Sequence, residues 1–334
     1  MKIILDAMGG DHAPLEIVKG ALQGQKRLGV ELVLTGDETA IMDAARKSGV
    51  ETLPAGVSIR HTTEEVTMHD DPATVFRRKK DSSMGVGLTM MKNNEGDAFI
   101  SAGSTGALLT GATLITKRVR GIRRAAMAPV IPTVTGKAVL IDCGANVDAR
   151  SSHLVQFAKM GSVYMEHVMG IKNPKVAIVN IGAEEEKGNA LVKETFPLLK
   201  ACPDINFIGS IEAREIPSGQ ADVIVCDAFV GNVIIKLFEG VGSTLIAKVK
   251  EGMMTSLRSK IGALLVKPAL KETLKSFDVS EYGGAPLLGL NGLVVKTHGS
   301  SNAKEVKNTL LQCITFKEQD INGKIKQVIS NEEN

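Results

Sequence analysis

Two stretches of the chain place a nitrogen-bearing side chain beside a glycine where a helical pattern begins: Lys187 in "EEEKGNAL" and Asn232 in "CDAFVGNVIIK". A lysine under the positive end of a helix can hold phosphate or a developing oxyanion, and an amide there can cap the helix or donate to a substrate carbonyl. Glu184 to Glu186 equally describe a solvated acidic helix start, so residue types alone leave Lys187 open. A third stretch, "LDAMGGDHAP", ends an apolar run in Asp6, Gly9, Gly10, Asp11 and His12. Its glycines permit positive φ or close backbone approach, Asp11 suits an N-cap and Pro14 a first helical turn. The pattern reads as an ordinary strand–turn–helix joint or as a ligand site at a strand's carboxyl end.

Further loops have the same character. "SAGSTGALLTGA" offers Ser104, Thr105 and Gly106 as a phosphate-sized cradle or, equally, a close-packed strand–helix turn. "DCGANVDA" brings Asn146 between Asp142 and Asp148, carboxylates that could take a divalent metal but more readily serve capping and turns. His12 and His298 sit in glycine-bearing loops where acid–base or phosphate-binding work is possible, whereas His153 and His167 fall on helices. No GxxxxGK[ST], GxGxxG or GxSxG occurs, which argues against a P-loop enzyme, the usual dinucleotide fold and an acyl-serine hydrolase. No metal and no cofactor is expected.

Positioning these loops requires strands. Apolar runs at "KIIL", "VELVLTG", "VSIR", "AFISAG", "KAVLIDCGA", "KVAIVNIG", "NFIGS", "DVIVCD" and "LVVKTHG" alternate with amphipathic segments such as "SSHLVQFAKMGSVYMEHVMG" and "KGNALVKETFPLLKA". That alternation predicts right-handed βαβ units and a three-layer α/β/α fold with a mostly parallel sheet. No linker or repeat divides the chain, so residues 1–334 are read as a single domain. A helical stretch from about 241 to 277, free of strands, is expected to protrude from it.

The 334 residues are 43% hydrophobic and 23% charged, enough for a sizeable core. Aromatics at 3%, no Trp and a net charge of +3 argue against a nucleic-acid protein. The four cysteines have no CxxC spacing, which speaks against zinc or a disulfide framework. There is no signal-type h-region and no uninterrupted apolar run of about 18 residues. A cytoplasmic protein is expected.

Taken together, "LDAMGGDHAP", "FRRKKDSSM", "ISAGSTGAL", "DCGANVDA", "GAEEEKGN", "NFIGSIEAR", "DAFVGNV", "YGGAPLLGL" and "KTHGSS" occur in the order seen in the PlsX family, and the chain resembles that family over nearly its whole length. It departs from the family pattern at Ser104, Ala125 and Ala228. The resemblance implies a fold of the isocitrate/isopropylmalate dehydrogenase or phosphotransacetylase kind, a homodimer, and transfer of a long-chain acyl group from acyl carrier protein to orthophosphate. It places Lys187 and Asn232 in catalysis. A thioester is already activated and phosphate approaches a dianion near neutral pH, so neither ATP nor a strong base is needed. What remains is positioning and oxyanion stabilisation, worth roughly 3–4 kcal/mol per fixed donor. Lys187 and Asn232 would meet the thioester. The phosphate side would draw on Asp6, Gly9, Gly10, Asp11, His12, Ser104, Thr105, Gly106, Asn146 and His298. An acyl-CoA phosphotransacetylase and a non-catalytic membrane scaffold are the competing readings.

An acidic carrier protein calls for a basic dock. Arg77, Arg78, Lys79 and Lys80 form one cluster, and Arg118, Arg120, Arg123 and Arg124 within "KRVRGIRR" form another. Drawn as a single helix, "EGMMTSLRSKIGALLVKPALK" puts Met253, Met254, Leu257, Ile261, Leu264 and Leu265 on one face. Such a stripe suits a core or dimer partner, or the surface of an anionic membrane. Delivery of acyl-phosphate to a downstream membrane acyltransferase would follow from the second.

Overall fold

The computed structural model describes residues 1–276 and 282–330. Twelve strands form along the described chain: β1 Lys2–Asp6, β2 Glu31–Gly36, β3 Val57–His61, β4 Ala98–Ser101, β5 Ala126–Met127, β6 Val130–Thr133, β7 Gly136–Ile141, β8 Lys175–Asn180, β9 Asn206–Glu212, β10 Val223–Val225, β11 Ala285–Leu288 and β12 Leu293–Lys296. They make two sheets. The first has the order β3-β2-β1-β4-β12-β11-β5 and the second β6-β7-β10-β8-β9. Pairing is parallel except where β11 meets β12 and β5, and where β6 meets β7. The mostly parallel α/β expectation is borne out, with the strands divided between two sheets.

The apolar alternation explains the layers. In β1, Ile3 and Leu5 face the core shared with Ile17, Val306 and Leu310, while Ile4 faces the cluster of Met84, Leu88 and Phe99. In β7, Val139 and Ile141 pack toward Phe157 and Tyr164 on the helix Ser151–His167, while Ala138 and Leu140 face Ile216 and Ile235. Each sheet is thus covered on both faces, as parallel sheets require. Met127 joins them. Its N–H donates to Asp142 Oδ1 (2.9 Å) and its carbonyl accepts from Cys143 N (3.1 Å).

The helical stretch expected over about 241–277 differs in extent and continuity, and its last residue, Phe277, lies outside the described residues. The first helix starts at Ala228, directly after β10, and runs to Met253; a second spans Leu257–Ser276. Asp227 caps the first through Phe229 N and Val230 N, which is why it begins so early. Between the two helices, Ser256 Oγ accepts from Ser259 N (3.1 Å) and caps the start of the second. The single apolar face drawn through Met253, Met254 and Leu257 is therefore broken by a turn: Met253 ends the first helix, and Leu257, Ile261, Leu264 and Leu265 belong to the second.

The hairpin is thinly packed. Only Ala228, Gly231 and Ile235 of the first helix are buried, whereas Phe229, Val233, Leu237, Val241 and Leu245 are exposed. By length and composition this helix could cross a membrane, with a mean hydropathy of 1.4 over its best window, despite the absence of an unbroken apolar run. Its opening turns are tied to β10.

Candidate active site

The carboxyl ends of β7, β10 and β8 lie side by side, because β10 pairs with both neighbours in parallel. Asp142, just past β7, is fully buried. Its Oδ1 accepts from Met127 N (2.9 Å), and its Oδ2 accepts from both Asn146 N and Asn146 Nδ2 (each 2.7 Å). Burial pushes its carboxyl up to about 6, against the opposing pull of the Asn146 amide and these N–H donors. With both oxygens committed to N–H groups, Asp142 shapes the loop and is not presented to a cation, and Asp148 stays exposed. Among the described residues no group of three potential ligands gathers for a metal.

Asn146 is a brace. Besides Asp142, its amide donates to Ala125 O (2.7 Å), and its own carbonyl accepts from Ala228 N (3.1 Å), tying the β7 loop to the long helix. One turn into that helix stands Asn232, half-buried, with its Oδ1 beside Gly144: a Cβ on that glycine would lie 3.9 Å away. Cys143 and Cys226 line the same strand ends. Burial pushes the Cys143 thiol up to about 12 and Cys226 well above its ordinary value, so both are protonated and poor nucleophiles.

Lys187 follows β8 in an exposed loop. Its Nζ pairs with Glu184 Oε1 at 2.8 Å, which raises its pKa, with Glu212 at the end of neighbouring β9 adding to the effect. Asn180 fixes the loop from below: its amide donates to Lys187 O (3.2 Å) and Ser210 Oγ (3.1 Å). The lysine is solvent-facing and, among the described residues, its ammonium is hydrogen-bonded to Glu184 alone, so an anion can compete for it. Asn232 and Lys187 come from adjacent strand ends of one sheet edge.

The remaining predicted residues gather on the other sheet, where β1, β4 and β12 run parallel and end together. Asp6 is fully buried and accepts from Ser83 Oγ and Ser101 Oγ (both 2.7 Å) and from Met8 N (3.2 Å). Burial raises its pKa; these donors work the other way. Asp6 clamps the loop and does not face a ligand. Gly9 and Gly10 are likewise required by neighbouring main chain. A Cβ on Gly9 would sit 2.7 Å from Gly103 N, and one on Gly10, at φ +112°, would sit 3.0 Å from Gly299 O. Asp11 N donates to that same Gly299 oxygen (2.7 Å). The glycines bring three loops into contact, which is what the expectation of an anion approaching the backbone must accommodate.

Ser104 spends its hydroxyl capping Thr105–Gly111 through Ala107 N (3.4 Å), leaving Thr105 and Gly106 half-buried at the helix start. His12 is exposed. His298 is exposed too, hydrogen-bonded to Ser300 Oγ (2.7 Å), and its Nε2 lies 3.9 Å from Glu239 Oε2 on the long helix. That approach brings the β12 loop of one sheet to the helix that carries Asn232 from the other.

Lys296, at the end of β12, lies within the run "LVVKTHG" and is not among the residues that the sequence marks for the site. It is 8% exposed, and its Nζ donates to Ala102 O (3.2 Å) and to Thr297 O. Burial depresses its pKa to about 8, with Asp11 and then Asp6 acting in the opposite sense. A lysine closing an otherwise apolar run just before a glycine loop is the sequence signal that could have marked it.

Of the two basic clusters, Arg77, Arg78 and Lys80 are exposed, while Lys79 is bound to Asp70 (2.6 Å) and Glu65 O (2.9 Å). Arg118, Arg120, Arg123 and Arg124 are all exposed. They concentrate charge in space as well as in sequence: after burial, Arg124, Arg150, Arg123 and Arg118 hold His153 below its ordinary pKa. In the hairpin, Met254, Leu257, Ile261, Leu264 and Leu265 are exposed and Met253 is half-buried.

A family model described as "Fatty acid synthesis protein" matches residues 1–324. The chain is 47% identical over 330 residues to the phosphate acyltransferase of Clostridium novyi, covering 98% of each. It is 49% identical over 331 residues to that of Alkaliphilus oremlandii, covering 99% of this chain and 98% of the relative. Among solved structures, a phosphotransacetylase from Streptococcus pyogenes superposes with a TM-score of 0.62 at 18% identity, covering 95% of this chain and 94% of that one. The EutD phosphotransacetylase from Staphylococcus aureus gives 0.59 at 18% identity, covering 96% and 94%. These two share the fold.

Proposed function

Because the chain belongs to the fatty acid synthesis protein family and is a phosphate acyltransferase, we propose that it transfers a long-chain acyl group from acyl carrier protein to orthophosphate, giving acyl-phosphate for phospholipid synthesis. In this reading phosphate attacks the thioester carbonyl directly, the carbon–sulfur bond breaks, and the carrier thiol leaves with a proton. The observation that carries it is the placement of Asn232 and Lys187 on adjacent strand ends of one sheet edge, with thiols nearby that burial keeps protonated. Such a site offers an amide donor and a cation to a developing oxyanion and no ready nucleophile of its own. Phosphate would be held by N–H groups of the Gly9–His12 and Gly103–Gly106 loops, across the approach marked by His298 and Glu239.

The same reading assigns the arginines at 118, 120, 123 and 124, with Arg77, Arg78 and Lys80, to an acidic carrier protein. It assigns the hairpin's exposed apolar residues to the dimer partner or to an anionic membrane surface, as a cytoplasmic protein bound at the inner face of the membrane would use them. A membrane acyltransferase that consumes acyl-phosphate would then act downstream.

The test is acyl-phosphate formation from palmitoyl carrier protein and phosphate, run beside palmitoyl-CoA and with Lys187→Ala and Asn232→Ala. Phosphate-dependent turnover with the carrier-protein donor, reduced 10²- to 10³-fold in folded variants, is the expected result. Turnover with CoA alone would move the donor to the phosphotransacetylase class, a possibility kept open by the shared fold. Full activity in both variants would overturn the assignment of the site.

A further inference from the structure

The three loops that meet at the β1, β4 and β12 ends carry little positive charge for a site meant to hold an anion. Residues 6–12, 101–106 and 296–302 contain two aspartates and, apart from the histidines His12 and His298, one cationic residue, Lys296. That lysine is buried beneath the loops. An ammonium has three donors. Two are used on the carbonyls of Ala102 and Thr297, and the third has no partner among the described residues. The hydroxyls of Thr297 and Ser301, in the same short loop, are also buried and have no hydrogen-bond partner there. Buried polar groups in native proteins are nearly always satisfied, so orphaned donors and hydroxyls in one loop point to a polar occupant.

Resting on the acyl-transfer reading above, we propose that Lys296 is the fixed positive charge of the phosphate subsite: its ammonium draws the anion to the three loops and holds the Ala102 and Thr297 carbonyls in place. Two consequences follow from electrostatics. Carbonyl oxygens at strand ends repel an anion, and the ammonium that binds them offsets that repulsion. A charge held in a low-dielectric interior also acts over a longer range than a surface lysine, whose field water and salt screen. Of the ionised groups that act on Lys296, Asp11 and Asp6 come from the β1 end. Asp6 is itself engaged by Ser83 and Ser101, and neither of its oxygens accepts a hydrogen bond from the ammonium, whose third donor is left for a ligand.

The measurement is orthophosphate binding by calorimetry without acyl donor, followed by phosphate-dependent turnover between pH 6.5 and 9.5, in the wild type, Lys296→Met and Lys296→Arg. The expected results are at least a tenfold weaker phosphate affinity in Lys296→Met, with the KM for acyl donor within twofold of wild type. In the wild type, phosphate KM should rise above about pH 8, where Lys296 loses its proton. The arginine variant, which cannot deprotonate in this range, should lose that alkaline rise. Unchanged phosphate affinity in a folded Lys296→Met protein overturns the proposal. So does loss of kcat with phosphate KM unaltered, which is the signature of a merely structural lysine. Should the methionine variant fail to fold, a wild-type phosphate KM that is flat across pH 8 overturns it instead. Absence of any acyl-phosphate from a wild-type protein that binds phosphate through Lys296 would count against the acyl-transfer reading and leave this assignment standing.

Discussion

Gly231 lies with its α-carbon against the main-chain oxygen of Asp142, so close that a methyl group on Gly231 would overlap it. The contact sets the depth at which the long helix meets the β7 loop, and Asn232 is the next residue. Gly231→Ala is expected to push the first helical turn outward, at a cost of about 1–3 kcal/mol from overpacking, and to lower kcat at least 100-fold. Gly240→Ala on the same helix has no atom within 4 Å of the new Cβ and should be neutral or mildly stabilising. Thermal unfolding and turnover of the pair check this.

Asp142 gives the reaction an acid limb. Its carboxylate accepts three N–H groups, and protonation, which occurs below about pH 6, turns one of those oxygens into a donor facing donors. Activity should fall about tenfold per pH unit below that value. The sign of the linkage separates this from unfolding. The folded pKa lies above the ordinary 3.8, so between about 6 and 4 the folded chain binds more protons and this group favours folding as pH falls. An Asp142→Asn protein should show the reduced activity at neutral pH with no acid limb of its own.

Removing Asp6 should be felt in stability. Asp6→Ala leaves the Ser83 and Ser101 hydroxyls buried without their acceptor, at roughly 1–3 kcal/mol for each group left unsatisfied. Urea denaturation should show a lower midpoint with an unchanged slope. An unchanged midpoint would mean that the loop is held by its glycine contacts alone.

Charge reversal at Arg123 and Arg124 should act on donor encounter. Arg123→Glu/Arg124→Glu is expected to raise the KM for acyl carrier protein about tenfold and to flatten its dependence on salt, with phosphate KM unchanged. A wild-type rate insensitive to ionic strength between 20 and about 300 mM would remove the electrostatic dock.

The exposed apolar residues of the second helix should govern lipid binding. Leu264→Ser/Leu265→Ser is expected to abolish co-sedimentation with anionic vesicles while leaving turnover of the soluble donor intact, since both residues are exposed and lie on the helix that follows the one bearing Asn232. Gel filtration of the same variant separates the two uses: conversion of a dimer to monomer would place this face between copies of the chain.

Much of the fold was legible because parallel strands buried on both faces appear as apolar runs. All nine runs in the sequence became strands. The three that were not read, β5, β6 and β11, pair only in the antiparallel sense and are short; β6 and β11 each contain a proline, at 132 and 286, and Pro129 separates β5 from β6. The division into two sheets was not legible, since it depends on which strands pair. The loops holding Lys187 and His12, and the helix start holding Asn232, were marked by glycine, but what each glycine accommodates is a tertiary matter. Gly9 meets Gly103 from another βα unit, and Gly231 meets Asp142 some ninety residues earlier. Lys296 was hidden for the same reason. Its side chain is buried because β12 is flanked by β11, the strand just before it, and by β4, whose Ser101 pairs with Lys296 from a remote part of the chain. The break at Met254–Ser256 carries no proline or glycine, so helical periodicity ran straight through it.

The long helix also behaves as a ruler. From Asn232 to Met253 it rises about 32 Å at 1.5 Å per residue. Its first turn is anchored in the sheet and its far end is bare. Any surface that engages Met254 and Leu257 with the helix upright is therefore held roughly that distance from Asn232, a standoff comparable to the ~30 Å hydrocarbon core of a bilayer. A macromolecular donor would have clearance to reach the site from the side while the tip remained attached.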